Sequence, residues 1–341
     1  MRFLVSILGA FFAYMPKIVA AGFAYILGSL IYFSFSKRRY MMLSNLHHAF
    51  PNKTEACRKK IAKTSCRRMV ELALFLIGSP FFSKKRIQKI LTIDKSAVGL
   101  LKQNLSNSQP QLVLIPHFSL TEAIALYRGT QEGENDISEI GVIFRPLNNK
   151  SLNQLVQNSR ERLGIKLLSR KEGFSQAIQI LKRQGTVAIL FDQNAGDPGI
   201  LGSFLGRLAS STPLPDLLAK KTNAQAFVVY TERRGFWKAH IHSESLPDIS
   251  EEHLRVSANS WLENKLQEND NYCADWLWFH NRWKTQDNPL GRYKIKNKKI
   301  DCNLRSLEHK TRFWFRMPNW LGDVIMALPI LGAIKNARPD A

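Results

Sequence analysis

Cysteine is scarce in this chain and carries no pattern. The four present, Cys57, Cys66, Cys273 and Cys302, show no C-x2-C spacing and no paired histidines at zinc distances. Neither a disulfide framework nor a cysteine metal site is expected, which suits a reducing compartment. Acidic residues are short as well: 27 Asp and Glu face 49 Lys and Arg, giving a formal net charge of +22 and a pI near 10.0. Such an imbalance calls for an anionic partner, whether nucleic acid, anionic lipid or an acidic carrier protein. Charge is nearly missing from the N-terminal stretch, where Arg2 and Lys17 stand alone before the basic cluster Lys37-Arg38-Arg39. A composition of 45% hydrophobic and 22% charged residues over 341 positions excludes a disordered chain and fits one large domain or two ordinary ones.

The uncharged run Ile18 to Phe35 is barely long enough to span a bilayer core. It is too long for a signal-peptide apolar region, and no small-x-small cleavage site precedes the basic cluster. A retained membrane anchor over residues 1–36 is therefore expected, with a buried core helix as the alternative. Basic residues directly after the run place the rest of the chain on the cytoplasmic side if the segment spans. If it lies in the interface, the same charges meet anionic headgroups. Residues 40–91 read as helices with a basic outer face, carrying Arg58-Lys59-Lys60, Arg67-Arg68 and Lys84-Lys85-Arg86 on solvated or membrane-facing surface.

The rest of the chain is organised around Gln111-Leu-Val-Leu-Ile-Pro-His-Phe-Ser-Leu-Thr-Glu122. A short aliphatic run ended by Pro116 reads as a buried parallel strand, so His117 sits at its C-terminal mouth, where ligands bind in open α/β sheets. Ser119 or Thr121 could cap a following helix that carries Glu122. An imidazole with a carboxylate to hold its tautomer suits activation of a hydroxyl without any protein nucleophile. The alternative is a histidine that merely ends a strand and a solvated glutamate.

Alternation continues downstream: strands at 140–144, 165–168 and 186–191, helices at 152–163 and 174–183, then a helix at 215–221 before strand 226–231. The turn Arg233-Arg234-Gly235 leads into 237–242 as an antiparallel hairpin, so the sheet is expected to be mixed. Strands ending at Phe144 and Phe191 deliver Arg145 and Asp192 to the same rim as His117, as site residues or as a structural ion pair. Trp276, Trp278, Phe279, His280, Arg282 and Trp283 form an aromatic segment read as core-closing, with Arg282 and Lys284 able to meet phosphates.

Taken in order, these motifs resemble the late acyltransferases of bacterial lipid A biosynthesis, the lauroyl/myristoyl family. The resemblance covers roughly residues 1–290. It rests on Asn45-Leu46 with Phe50-Pro51, the H-x4-E box His117 to Glu122, Phe144-Arg145-Pro146-Leu147-Asn148, Arg160-Glu-Arg-Leu-Gly164, Asp192-Gln193-Asn194, Phe204-Leu-Gly206-Arg207 and Trp278-Phe-His-Asn-Arg-Trp-Lys-Thr285. The family often has His-x-Gly-Asn-Trp-Glu where this chain has His117-Phe-Ser-Leu-Thr-Glu122. The resemblance implies a mixed central sheet flanked by helices, glycerolipid-acyltransferase-like, with a membrane-associated helical N-terminus. It implies acyl transfer from acyl carrier protein to a hydroxyl of a lipid A precursor at the cytoplasmic face of the inner membrane, with no nucleic acid, cofactor or metal. His117 and Glu122 are the implied catalytic pair; Arg145, Asp192, Gln193 and Arg282 are the implied substrate-binding residues. Transfer to another glycolipid or a glycerophospholipid, and a non-enzymatic basic binding protein at the membrane, remain the alternatives.

A second resemblance lies at the end. Phe315-Arg-Met-Pro-Asn-Trp-Leu-Gly-Asp323, Met326-Ala-Leu-Pro329 and Ala337-Arg-Pro339 are similar to the first strand, glycine turn and helix of a heptosyltransferase-like glycosyltransferase. The expected organisation is thus an anchor over 1–36, an acyltransferase domain over 37–286, a basic, solvated linker over 287–311, and the truncated start of a Rossmann-type domain over 312–341.

Overall fold

The structure is a computed structural model that describes residues 2–95, 97–98, 109–130, 139–144, 149–169, 173–246, 253–287, 299–308 and 311–341. Four helices open the chain: α1 (Arg2–Tyr14), α2 (Lys17–Ser34), α3 (Ser36–Ala49) and α4 (Glu55–Gly78). Pro16 separates α1 from α2, and Thr54 starts α4 by accepting the amide of Cys57 on its hydroxyl. Then come α5 (Lys84–Ile90), β1 (Leu91–Ile93), β2 (Gln111–Ile115), a 3-10 segment (Thr121–Gly129) and β3 (Ile140–Ile143). The middle of the chain alternates: α6 (Lys150–Arg162), β4 (Ile165–Leu168), α7 (Gly173–Lys182) and β5 (Thr186–Leu190). It continues with β6 (Ile200–Phe204), β7 (Arg207–Ser211), α8 (Leu214–Thr222), β8 (Gln225–Gly235) and β9 (Lys238–Ser245). The last elements are α9 (Leu254–Glu268), α10 (Asp270–Asp275), α11 (Lys284–Asp287) and α12 (Leu321–Ala337).

Seven strands make one sheet in the order β1-β9-β8-β2-β5-β3-β4, and β6 and β7 pair in a separate hairpin. From β8 to β4 every neighbour is parallel; β9 runs against β8 and carries β1 beside it in parallel. The expected mixed sheet is present, and β2 lies inside it with all five residues buried. A strand covered on both faces has no polar side to show, which is why Leu112 to Ile115 is a continuous aliphatic run. One face, with Leu112, Leu114, Val187 and Val228, packs under α7, α8, α9 and the tryptophan segment. The other, with Val113, Ile115, Ala188 and Ile241, packs under the 3-10 segment, α5 and part of α4.

Helix α2 has an 18-residue window of mean hydropathy 1.5, long and apolar enough to cross a membrane. It does not stand free of the domain, however. Ala20, Ala24, Gly28 and Tyr32 recur every fourth residue and are buried, and a Cβ on Gly28 would lie 2.4 Å from Cα of Arg67 in α4. That small-residue face lets the two helix backbones touch. The opposite face leaves Ile18, Tyr25, Ile26, Leu30 and Phe33 exposed.

Two sequence expectations change here. Arg68, read as part of a surface charge run, reaches inward to Asp275 at 3.1 Å and is largely buried. The segment read as a solvated linker packs back in part: Lys299 and Asp301 hydrogen-bond to Leu201 of β6, Asp301 pairs with Arg255 at 2.5 Å, and Leu307 is buried against Leu201 and Leu208. Its lysines 294, 296 and 298 lie outside the described residues. In the tail, no strand forms over 311–320, whereas helix α12 does form, with Gly322 in its first turn.

Candidate active site

His117 lies two residues beyond Ile115 and Asp192 two beyond Leu190, and those two residues are paired in the β2–β5 register. Continuing a parallel register past its last pair brings the two side chains together. The His117 ring Nδ1 lies 2.5 Å from Asp192 Oδ1, and the His117 amide donates to Asp192 Oδ2 at 2.8 Å. Trp276 adds a third donor, its indole Nε1 to Oδ2 at 2.6 Å. Asp192 is 1% exposed. Burial pushes its pKa up, but the His117 charge, the bonds from the His117 ring and amide, and the Trp276 indole outweigh burial and hold it below the ordinary carboxylate value. The carboxylate stays ionised and accepts a hydrogen bond from Nδ1–H, so in the neutral imidazole the lone pair sits on Nε2. That nitrogen accepts from the Gln193 amide at 3.1 Å.

The carboxylate that holds the imidazole is therefore Asp192, and not Glu122 as the H-x4-E spacing had suggested. Both oxygens of Glu122 instead accept from Nη2 of Arg160 on α6, at 2.7 and 2.6 Å. Nor do Ser119 and Thr121 cap the 3-10 segment. Thr121 donates to the carbonyl of Pro116 at 2.8 Å, while Ser119 donates to buried Asp275, whose pKa burial raises. Phe118 forms an isolated bridge with Trp276. The last two links clamp the residues just after His117 to Asp275 and Trp276 at the end of α10.

Asn194, next after Gln193, holds that same segment. Its amide donates to His280 Nε2 at 2.8 Å, and its side chain donates to the Arg282 carbonyl at 2.9 Å. Burial drives the pKa of His280 down to about 4, so it is a neutral acceptor. Arg282, expected to meet substrate, is fully buried and donates to the Ser210 carbonyl and, at 2.7 Å, to Ser211 Oγ. It braces β7 against the loop and presents no face to a ligand. Arg145 lies outside the described residues.

The chain matches the family described as bacterial lipid A biosynthesis acyltransferase over residues 1–285. It belongs to that family. No curated protein matches it. The match spans the whole sheet and every residue of the His117 site, and ends at Thr285, whose hydroxyl donates to Asn194 Oδ1 at 3.1 Å.

Beside the site of this acyltransferase-family chain, an apolar cavity of about 100 Å³ runs along the sheet face. Ile115, Leu190, Ala188 and Val142 form its floor, and Glu122 and Arg160 are its charged lining residues together with Arg128. Of the residues that build the site, the sequence had singled out His117, Asp192 and Gln193. Arg160 appeared only inside a motif, and Trp276 and His280 were read as packing. For Trp276 the available signal was the indole N–H, a buried donor that needs an acceptor.

Proposed function

We propose that this protein transfers a fatty acyl chain from acyl carrier protein to a hydroxyl of a lipid A precursor, with His117 as general base. The observation that carries the reading is the His117–Asp192 pair at the end of β2, with Nδ1 bound to a buried carboxylate and Nε2 directed at the Gln193 amide, a contact the acceptor hydroxyl would replace. The Gln193 N–H marks the place of the incoming hydroxyl. The acceptor oxygen gives its proton to Nε2 and attacks the thioester carbonyl; the C–O bond forms, the C–S bond breaks, and the departing thiolate takes the proton from the imidazolium. No acyl-enzyme forms. Asp192 holds the tautomer and steadies the imidazolium, while Glu122 fixes Arg160 at the apolar cavity, into which the acyl chain runs. Arg145, two residues beyond β3 in sequence, is assigned here to a phosphate or the developing oxyanion.

The exposed faces of α1 and α2 would rest in the inner membrane on its cytoplasmic side. Next to them Arg39, Lys59, Lys63 and Arg67 line an open groove of about 700 Å³ with Tyr32 and Phe33. Cations over an apolar floor suit lipid phosphates above acyl chains. The acidic carrier is drawn by the same positive excess.

The test is transfer of a labelled chain from loaded acyl carrier protein to lipid A precursor by purified protein, each variant checked by circular dichroism. His117→Ala and Asp192→Asn should each lose about 10²- to 10⁴-fold in turnover at saturating donor. Glu122→Gln should lose less, because it does not touch the imidazole. Near-normal turnover by folded His117→Ala would reject the mechanism.

A further inference from the structure

On the far side of β8 from β2, where β1 meets β9, lies a group of side chains with no part in acyl transfer. His240 and His242 are two apart on β9 and so point to one face. Asp94 follows β1 directly, and its amide donates to the Ile241 carbonyl between them at 3.0 Å. Asp94 Oδ1 lies 2.7 Å from His240 Nε2, and Oδ2 lies 2.5 Å from His242 Nδ1. The outer nitrogens are held as well: His240 Nδ1 by Thr92 Oγ1 at 2.6 Å, and His242 Nε2 by Glu232 Oε2 at 3.1 Å.

Glu232 Oε2 also accepts from Arg234 Nε and Nη2 at 3.2 and 3.1 Å, and the arrangement can still accept a cation at the inner nitrogens. A neutral imidazole has one N–H, yet His242 has a carboxylate at each nitrogen, so one carboxylate faces a bare lone pair unless a positive species intervenes. A second proton can supply the charge, and so can a metal ion between the inner nitrogens and Asp94. The outer contacts favour the metal. A hydroxyl on one ring and a carboxylate on the other are the partners that orient metal-binding histidines and raise their basicity. Ligand atoms of the three residues all lie within 4.8 Å of one another. A tetrahedral ion with bonds of about 2.0–2.2 Å sets them roughly 3.4 Å apart, within reach of small rotamer shifts.

We propose that Asp94, His240 and His242 bind a divalent transition-metal ion, with zinc the best match to two imidazoles and one carboxylate. Asp94, with its side chain 38% exposed, leaves the fourth position open to water. The ion cross-links the edge strand β1 to β9.

The experiment uses tag-free full-length protein in detergent, stripped with chelator, then titrated with Zn²⁺ by calorimetry and with Co²⁺ by visible absorption. Wild type should take up one equivalent, show cobalt d–d bands of a low-coordinate site, and melt at higher temperature with Zn²⁺. His242→Phe keeps the ring stacked on Tyr230, whose centroid is 5.0 Å away, and so guards the fold. It should lose at least tenfold in affinity along with the bands, and Thr92→Val should lose about tenfold. No saturable uptake by wild type, or uptake unchanged in His242→Phe, would overturn the assignment; the first means that the cluster binds no metal, the second that the ion binds elsewhere.

Discussion

At the scale of single residues, the site depends on which groups are kept neutral and which charged. His280 is the clearest instance, since its pKa falls from 6.5 to about 4 on folding, chiefly through burial. The unfolded chain therefore binds a proton in that window and the folded chain does not. Stability from the neutral ring is whole above pH 6.5 and is lost as pH falls towards about 4. We expect His280→Gln, which keeps an acceptor for the Asn194 amide, to lose less unfolding free energy than wild type between pH 7 and pH 5 in denaturant titrations. An equal loss in the two proteins would assign the acid sensitivity to other groups. The His117–Asp192 contact was half legible in the sequence. Both residues stand out at strand ends, but that β2 and β5 are neighbours is a matter of topology. Without it, the nearest carboxylate in sequence, Glu122, looked like the partner. A buried charge such as Arg282 was harder still, because an arginine reads as surface until its acceptors, here on β7, are known.

At the scale of elements, strands bounded by proline or glycine were read to within a few residues, because short β-branched runs fit little else. Two kinds of element escaped. Strand β1 is only Leu91-Thr92-Ile93 at the end of a basic helix, too short to show alternation. The β6–β7 hairpin turns at Leu205 and Gly206, with φ of +48° and +71°. Such a turn usually announces itself as Asn-Gly, and Leu-Gly does not. The α2–α4 contact provides a test using one substitution at two glycines. A methyl at Gly22 meets nothing within 4 Å, whereas at Gly28 it meets the Arg67 backbone at 2.4 Å. Gly22→Ala should stabilise by about 0.5–1 kcal/mol through helix propensity. Gly28→Ala should instead destabilise by about 1–3 kcal/mol, because the backbones must part. Denaturant unfolding in detergent reads both, and equal effects at the two sites would mean that α2 does not pack on α4.

At the scale of the whole molecule, charge and apolarity are segregated in a way the sequence already indicated: a +22 chain whose longest uncharged run lies near its N-terminal end. What composition could not convey is that α2 is fastened to the catalytic domain along one side and bare along the other. A domain fastened this way, once on a bilayer, searches for its acceptor in two dimensions. Its rate then follows the mole fraction of acceptor in the surface rather than the amount per millilitre. Adding inert phospholipid to mixed vesicles at constant bulk acceptor should slow transfer in proportion to the dilution, while diluting the whole suspension at constant mole fraction should change the rate per bound enzyme little.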